Sequence, residues 1–284
     1  MLTFIQGSSG SGKTEFIRQK IGSMLAKKDQ RIILIVPEQF SFESERSIHR
    51  LLGPQKASQV EVASFTRLAD GIFREYGGLA GSYADETKKL ILMNLAVHEL
   101  RDRLSFYKKA SAYESFTGLM VQTVAELKNA GISPEELEKI ASRVESDSLR
   151  DKVEDISTLY AAYDALLHKA FFDPLESLSR AAKKVKGTGY FENAAVFVDE
   201  FKGFTAGEYE LLREIIKQSP MVYVSLCMEQ EAQGEYGLFA FVQATRDRLT
   251  RIARQAGITV AAPVELMPGG RSSDPVLAHF VRTV

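Results

Sequence analysis

Apolar positions divide the chain into three textures. As far as about Leu79, short continuous apolar runs alternate with stretches in which apolar residues recur every three or four positions. The runs Leu2-Thr3-Phe4-Ile5, Arg31-Ile32-Ile33-Leu34-Ile35-Val36 and Val60-Glu61-Val62-Ala63-Ser64 predict strands, the second ended by Pro37. Phe16, Ile17, Ile21 and Leu25 predict a helix with one buried face. A second helix is expected through Phe42, Glu45, Ile48 and Leu51, and a third through Leu68, Ile72 and Phe73. Regular alternation of strand and helix predicts a parallel sheet covered by helices.

From about Tyr83 to Lys186 the strand signals stop. Helical spacing runs through Leu90-Met93-Leu100, Phe116-Met120-Leu127 and Leu159-Tyr163-Leu166. Ser133-Pro134-Glu135-Glu136 and Asp173-Pro174-Leu175-Glu176 each combine an N-cap, a proline in the first turn and a capping-box glutamate. The strand–helix rhythm then returns with strands at Ala194–Val198 and Met221–Leu226, a helix opened by Thr205-Ala206-Gly207-Glu208, a helix near Phe239–Gln255 and a short strand at Ile258-Thr259-Val260. The expected organisation is an α/β core in two parts, 1–82 and 188–284, interrupted by an all-helical subdomain over 83–187.

Between the first strand and the first helix stands Gly7-Ser8-Ser9-Gly10-Ser11-Gly12-Lys13-Thr14, which fits G-x-x-x-x-G-K-[ST] in the strand–loop–helix context a P-loop requires. The reason for such residues is anion binding. Backbone N–H groups must converge on phosphate through conformations that Gly10 and Gly12 adopt cheaply, and the following helix aims its positive end at the same charge. Lys13 is expected to reach the β/γ-phosphates of ATP, and the Thr14 hydroxyl to complete the shell of a Mg²⁺ ion. A partner for that metal is offered by Ala194-Ala195-Val196-Phe197-Val198-Asp199-Glu200, an apolar strand ending in two acids. Asp199 is the candidate metal ligand and Glu200 the candidate catalytic base that orients and deprotonates an attacking water.

Composition narrows the remaining choices. The chain has 284 residues, 45% of them hydrophobic, enough for a substantial core. A net charge of −1 argues against a surface basic all over but leaves a local basic groove open. The single cysteine, Cys227, excludes an intrachain disulfide and a cysteine-ligated cluster or zinc site within this chain. No apolar stretch approaches the roughly 20 residues of a membrane span, and Met1 leads into a strand rather than a signal peptide, so the expectation is a soluble, cytoplasmic protein.

Four stretches resemble one known family. They are Gly7–Thr14; Leu34-Ile35-Val36-Pro37-Glu38-Gln39-Phe40-Ser41-Phe42-Glu43; Ala63-Ser64-Phe65-Thr66-Arg67-Leu68-Ala69; and Val196-Phe197-Val198-Asp199-Glu200-Phe201 with Gly203-Phe204-Thr205. In order and spacing they are similar to the N-terminal part of AddB, the second subunit of the bacterial AddAB helicase-nuclease, itself similar to UvrD-like superfamily 1 helicases. The resemblance implies a RecA-like, ATP- and Mg²⁺-binding first motor domain, an AddA-like partner subunit and DNA, in the processing of double-strand DNA ends for recombinational repair. It further implies DNA contacts by Pro37, Gln39 and Phe40 and by Ser64, Phe65, Thr66 and Arg67. An aromatic ring can stack on a base while hydroxyls and Arg meet phosphate.

The sequence departs from that pattern in three places. Only Met1 precedes the P-loop strand, where such helicases carry a glutamine-containing adenine-recognition segment. Ser225-Leu226-Cys227-Met228 stands where they carry a Gly-Asp-x-x-Gln-like sensor of the γ-phosphate. The family also continues into a second RecA-like domain, a nuclease domain and an iron–sulfur cluster, all absent from this sequence, whose "PGGRSSDPVLAHFVRTV" end resembles an interdomain stretch. The expectation is therefore a fragment of a longer protein that binds nucleotide and hydrolyses it very slowly, since arginines from a second domain contribute roughly 10³–10⁵ in rate in other P-loop enzymes. Two other readings stay open. A small-molecule kinase would need clustered phosphate-clamping arginines, whereas Arg101, Arg103, Arg143, Arg150 and Arg180 are scattered. A degenerate ATPase serving as an interaction scaffold would suit the missing sensor.

Overall fold

The computed structural model describes residues 1–26, 31–78, 81–228 and 239–266. The C-terminal stretch from Pro268, which resembles an interdomain segment, lies outside them. The chain forms two compact units: one comprises Met1–Glu75, Ala181–Phe204 and the residues from Glu208 onward, the other Tyr76–Arg180 with Thr205–Gly207.

The first unit is built on a parallel sheet of six strands, β1 Leu2–Gly7, β2 Arg31–Ile35, β3 Val60–Ala63, β4 Ala194–Val198, β5 Met221–Cys227 and β6 Val264–Glu265, in the order β3-β2-β4-β5-β1-β6. This is the α/β, RecA-like sheet flanked by helices. Strands covered on both faces bury every side chain, which explains apolar runs such as Ala194–Val198 where a one-sided sheet would alternate. On one face Ile5, Ile32, Leu34, Val36 and Phe197 pack with Ile17, Ile21 and Leu25 of α1 (Lys13–Leu25) and Ile48 of α2 (Ser41–Ala57). Helices α3 (Phe65–Tyr76), α9 (Ala206–Gln218) and α10 (Ala240–Gln255) bury Leu68, Ile72 and Phe73, Leu212 and Ile215, and Leu249 and Ile252.

Two local expectations are corrected. In α2 the buried positions are Ser41, Ser44, Ile48 and Ala57, while Phe42 and Leu51 are 76% and 47% exposed. The helix is rotated relative to the apolar count, and its regular path breaks at Gly53 (φ 72°), immediately before Pro54. At the C-terminal edge, Ile258–Val260 supplies only a bridge from Val260 to Leu2. Pairing with β1 resumes at Val264 and Glu265, after Pro263, which has no N–H to give.

The second unit is helical: α4 Glu86–Leu100, α5 Glu114–Ala130, α6 Pro134–Ala141, α7 Asp147–Ala170 and the start of α8, Ser177–Val185. The Ser133–Glu136 capping box forms with both of its reciprocal bonds, and α5 stops at Gly131 with φ 78°. Asp173 caps a 3₁₀ turn, accepting from the Leu175 N–H at 3.0 Å. The core joins Met93 and Val97, Phe116 and Met120, and Leu159 and Tyr163. Leu90, counted with this face, is 42% exposed. Lys128 lies buried among Asp164, Asp173 and Glu176 at 2.6, 2.7 and 2.8 Å, and these carboxylates hold its ammonium far above the usual lysine range.

Candidate nucleotide site

Because all six strands are parallel, the loops that follow β1, β2, β3 and β4 leave from the same carboxyl edge of the sheet, the edge at which open α/β sheets bind ligands. Gly7–Thr14, Pro37–Phe40, Ser64–Arg67 and Asp199–Glu200 occupy those four positions.

The glycine loop is shaped by its glycines for two reasons. Gly10 and Gly12 have φ of 80° and 88°, where a side chain is strained. Gly7 is needed for space: a Cβ there would stand 2.3 Å from the Ser11 hydroxyl and 2.8 Å from the Leu266 carbonyl. Helix α1 then starts with Gly12 at its N-cap and no side chain capping it. The hydroxyls of Ser8 and Ser11 are buried without a hydrogen-bond partner among the described residues. An unpaired buried polar group costs about 1–3 kcal/mol. Uncapped helix N–H groups beside two unsatisfied hydroxyls therefore suit an acceptor-rich ligand such as a phosphate chain. Lys13 turns its ammonium onto the loop itself, donating to the Gly7 and Ser8 carbonyls at 2.8 and 2.6 Å.

The acidic pair meets this loop. Asp199 extends β4 by donating its N–H to the Ile35 carbonyl at 3.0 Å, and it is 3% exposed. Its Oδ1 accepts from the Glu200 N–H at 3.0 Å and from the Ser225 hydroxyl of β5. Glu200 takes φ 67°, the only positive value outside glycine among the described residues. Its Oε1 accepts from the Thr14 hydroxyl at 3.4 Å. Glu200 is exposed, and partial desolvation together with the neighbouring Asp199 pushes its carboxyl above its ordinary range, against the opposing pull of Thr14 and Arg18. Lys13, Thr14, Arg18, Phe40 and Glu200 line one cavity of about 620 Å³. Asp199 lies behind Glu200, bonded to its backbone.

The candidate DNA-contacting residues separate by exposure. Gln39, Thr66 and Arg67 are exposed, and Pro37 is half-buried. Phe40 is half-buried, packs against the α1–α2 core and faces the cavity. Ser64 is buried and caps α3, its hydroxyl accepting from the Arg67 N–H at 3.2 Å. Phe65 is 3% exposed, and its ring packs edge-on against Phe201 and Phe204 at 5.3 and 6.0 Å, so it is held in an aromatic cluster.

Two neighbours of the site are not evident from sequence. Arg18 is visible in principle, one helical turn after Thr14. Ser225 stands out in the sequence only as the place of a missing glutamine. Its signal is a hydroxyl inside the otherwise apolar run Met221–Leu226.

The sequence matches the family described as "ADDB, N-terminal" over residues 4–280. It is 32% identical over 267 residues to the B subunit of the ATP-dependent helicase/deoxyribonuclease of Clostridium acetobutylicum, an alignment covering 93% of this chain and 23% of the relative. Proteins of the same name from Clostridium tetani (32% over 273 residues, 93% and 24%) and Clostridioides difficile (30% over 275 residues, 94% and 24%) are similar to the same extent. The chain thus spans about a quarter of the length of these relatives.

Proposed function

The chain belongs to the AddB N-terminal family, and on that premise we propose that it is the ATP-binding, motor-like part of a helicase–nuclease subunit that processes double-strand DNA ends in recombinational repair. The proposal includes an AddA-like partner subunit, DNA as substrate and a cytoplasmic location. Among the described residues no helix is long and apolar enough to cross a membrane.

One observation carries the nucleotide reading. Thr14 and Glu200, far apart in sequence, meet at 3.4 Å in the cavity that also receives Lys13. In this reading the loop N–H groups and the hydroxyls of Ser8 and Ser11 take phosphate oxygens from Gly7 to Thr14. Lys13 exchanges its two loop carbonyls for the β/γ-phosphates. Thr14 and Asp199 would hold Mg²⁺, which when bound neutralises phosphate charge. Glu200 orients water and takes its proton, and a carboxyl raised above its ordinary range is the stronger base. Gln39, Thr66 and Arg67 present polar groups to a DNA backbone at the same sheet edge, and Pro37, Phe40, Ser64 and Phe65 shape the surface that carries them.

Calorimetry with a non-hydrolysable ATP analogue tests this. Affinity should rise with Mg²⁺ and fall roughly tenfold or more in Lys13→Ala, the loss of one charge-assisted contact. Equal binding by the variant would remove the basis of the reading. Single-stranded DNA affinity should fall steeply with salt.

A further inference from the structure

A second cavity of the same unit, about 550 Å³, lies between α10, β1 and the segment 260–263. Side chains alternate along β1: Ile5 packs with α1, whereas Phe4 and Gln6 line this cavity on the opposite face. Among the described residues it shares no lining residue with the cavity at the glycine loop.

Three features define its chemistry. Arg246, Arg251 and Arg254 all line it, and among the described residues that do so the one carboxylate is Asp247, paired with Arg246 at 3.1 Å. Arg251 and Arg254 make no side-chain hydrogen bond or ion pair among the described residues. Gln6 is 8% exposed, yet its carboxamide has no hydrogen-bond partner among the described residues. The carboxamide meets the open space of the cavity, where an entering ligand can take its donor and its acceptor together. Phe4, 3% exposed, supplies an apolar floor.

We propose that this cavity is a second nucleotide-binding site, with the arginines on a phosphate and the Gln6 amide on the edge of a base. Guanidinium forks match phosphate oxygens in pairs. A carboxamide offers a donor beside an acceptor, the pattern with which glutamine reads a base edge. The volume suits one nucleotide, since small-molecule sites run from about 300 to 1,000 Å³. An acidic peptide would satisfy the arginines but would not match the adjacent donor and acceptor of the Gln6 amide. The ligand is either a free mononucleotide or one nucleotide of a strand; both present a phosphate next to a flat heterocycle.

The test silences the glycine loop with Lys13→Ala and titrates that chain with a fluorescently labelled dAMP. Saturable one-to-one binding is expected. It should weaken at least tenfold when Arg251→Glu and Arg254→Glu are added, exposed changes that leave the fold intact by circular dichroism. Gln6→Leu, close to isosteric, should weaken dAMP several-fold and leave competition by inorganic phosphate unchanged. A dT oligonucleotide that competes far better than dAMP assigns the site to a strand, and equal competition per nucleotide assigns it to a free nucleotide. Either result upholds the site. Absence of saturable binding, indifference to the arginine reversals, or displacement by hexaglutamate as effective as by dAMP with no effect of Gln6→Leu would overturn it.

Discussion

Glu200 is held where its backbone is least comfortable, and this gives a prediction in which two variants isolate one effect. A side chain in left-handed backbone costs about 1–2 kcal/mol, and Glu200 has φ 67°. Glu200→Ala and Glu200→Gly both delete the carboxylate and its contact with Thr14. Only the glycine variant relieves the backbone, and it gives back about 0.5–1 kcal/mol through the greater freedom of glycine in the unfolded chain. The difference favours Glu200→Gly over Glu200→Ala by about 0.5–1 kcal/mol. Urea unfolding at pH 7 reads this as a higher midpoint with an unchanged slope. Both variants should lose whatever ATP turnover the chain has. Glu200→Gln separates charge from backbone. Because the folded carboxyl titrates above its unfolded value, its contribution to stability is complete below the unfolded value and is lost as pH rises through the folded one. The glutamine variant should therefore exceed the parent at neutral pH, with the advantage shrinking in acid. A glycine variant no more stable than the alanine one would refute the view that the turn at Glu200 stores strain for the site.

Three further outcomes follow from contacts elsewhere. Ser225→Ala removes the hydroxyl donor of a buried carboxylate, a bond of about 1.5–3 kcal/mol; melting should drop by several degrees, Mg²⁺ should strengthen nucleotide binding less than in the parent, and Ser225→Thr should restore both, whereas lower stability with an unaltered metal effect would reduce Ser225 to packing. Gly7→Ala places a methyl 2.3 Å from the Ser11 hydroxyl, so nucleotide affinity should fall in calorimetry while the far-UV circular dichroism of the helices persists. Lys128→Ala leaves Asp164, Asp173 and Glu176 facing one another around a cavity and should destabilise the helical unit by about 3–5 kcal/mol, read from urea unfolding monitored by helix signal.

Much of the fold was legible because its signals are local. A glycine-rich loop between an apolar run and an amphipathic helix, a capping box at Ser133–Glu136 and a run such as Ala194–Val198 each determine a conformation without long-range help. The orientation of α2 was not legible. Phe42 and Leu51 look like core residues by type, but the positions α2 buries are Ser41, Ser44, Ile48 and Ala57, of which Ile48 and Ala57 join the core shared with α1 while Ser44 lines the glycine-loop cavity. The Ser225–Asp199 contact was equally hidden, since it joins neighbouring strands whose adjacency depends on strand order. Phe65 shows the same limit: its type fits base stacking and core packing alike, and the aromatic partners at Phe201 and Phe204 lie in a distant segment.

Strand order also explains how an acidic pair far along the chain can serve the glycine loop. β5 lies between β1 and β4, so the two functional strand ends are separated by two inter-strand spacings, roughly 9–10 Å. Adjacent strands would leave about half that, too little for the phosphate chain and hydrated metal of the proposed function. In the proposed reading the wider gap has to be narrowed again for Glu200 to reach a water. Asp199 does this by staying on the sheet, anchored to Ile35 and Ser225, while its Oδ1 draws in the Glu200 N–H and turns the next residue into left-handed backbone. The same turn carries the Glu200 carboxylate across to Thr14. A strained residue, a buried aspartate and a serine in a neighbouring strand thus form one positioning device, and its geometry depends on the intervening strand.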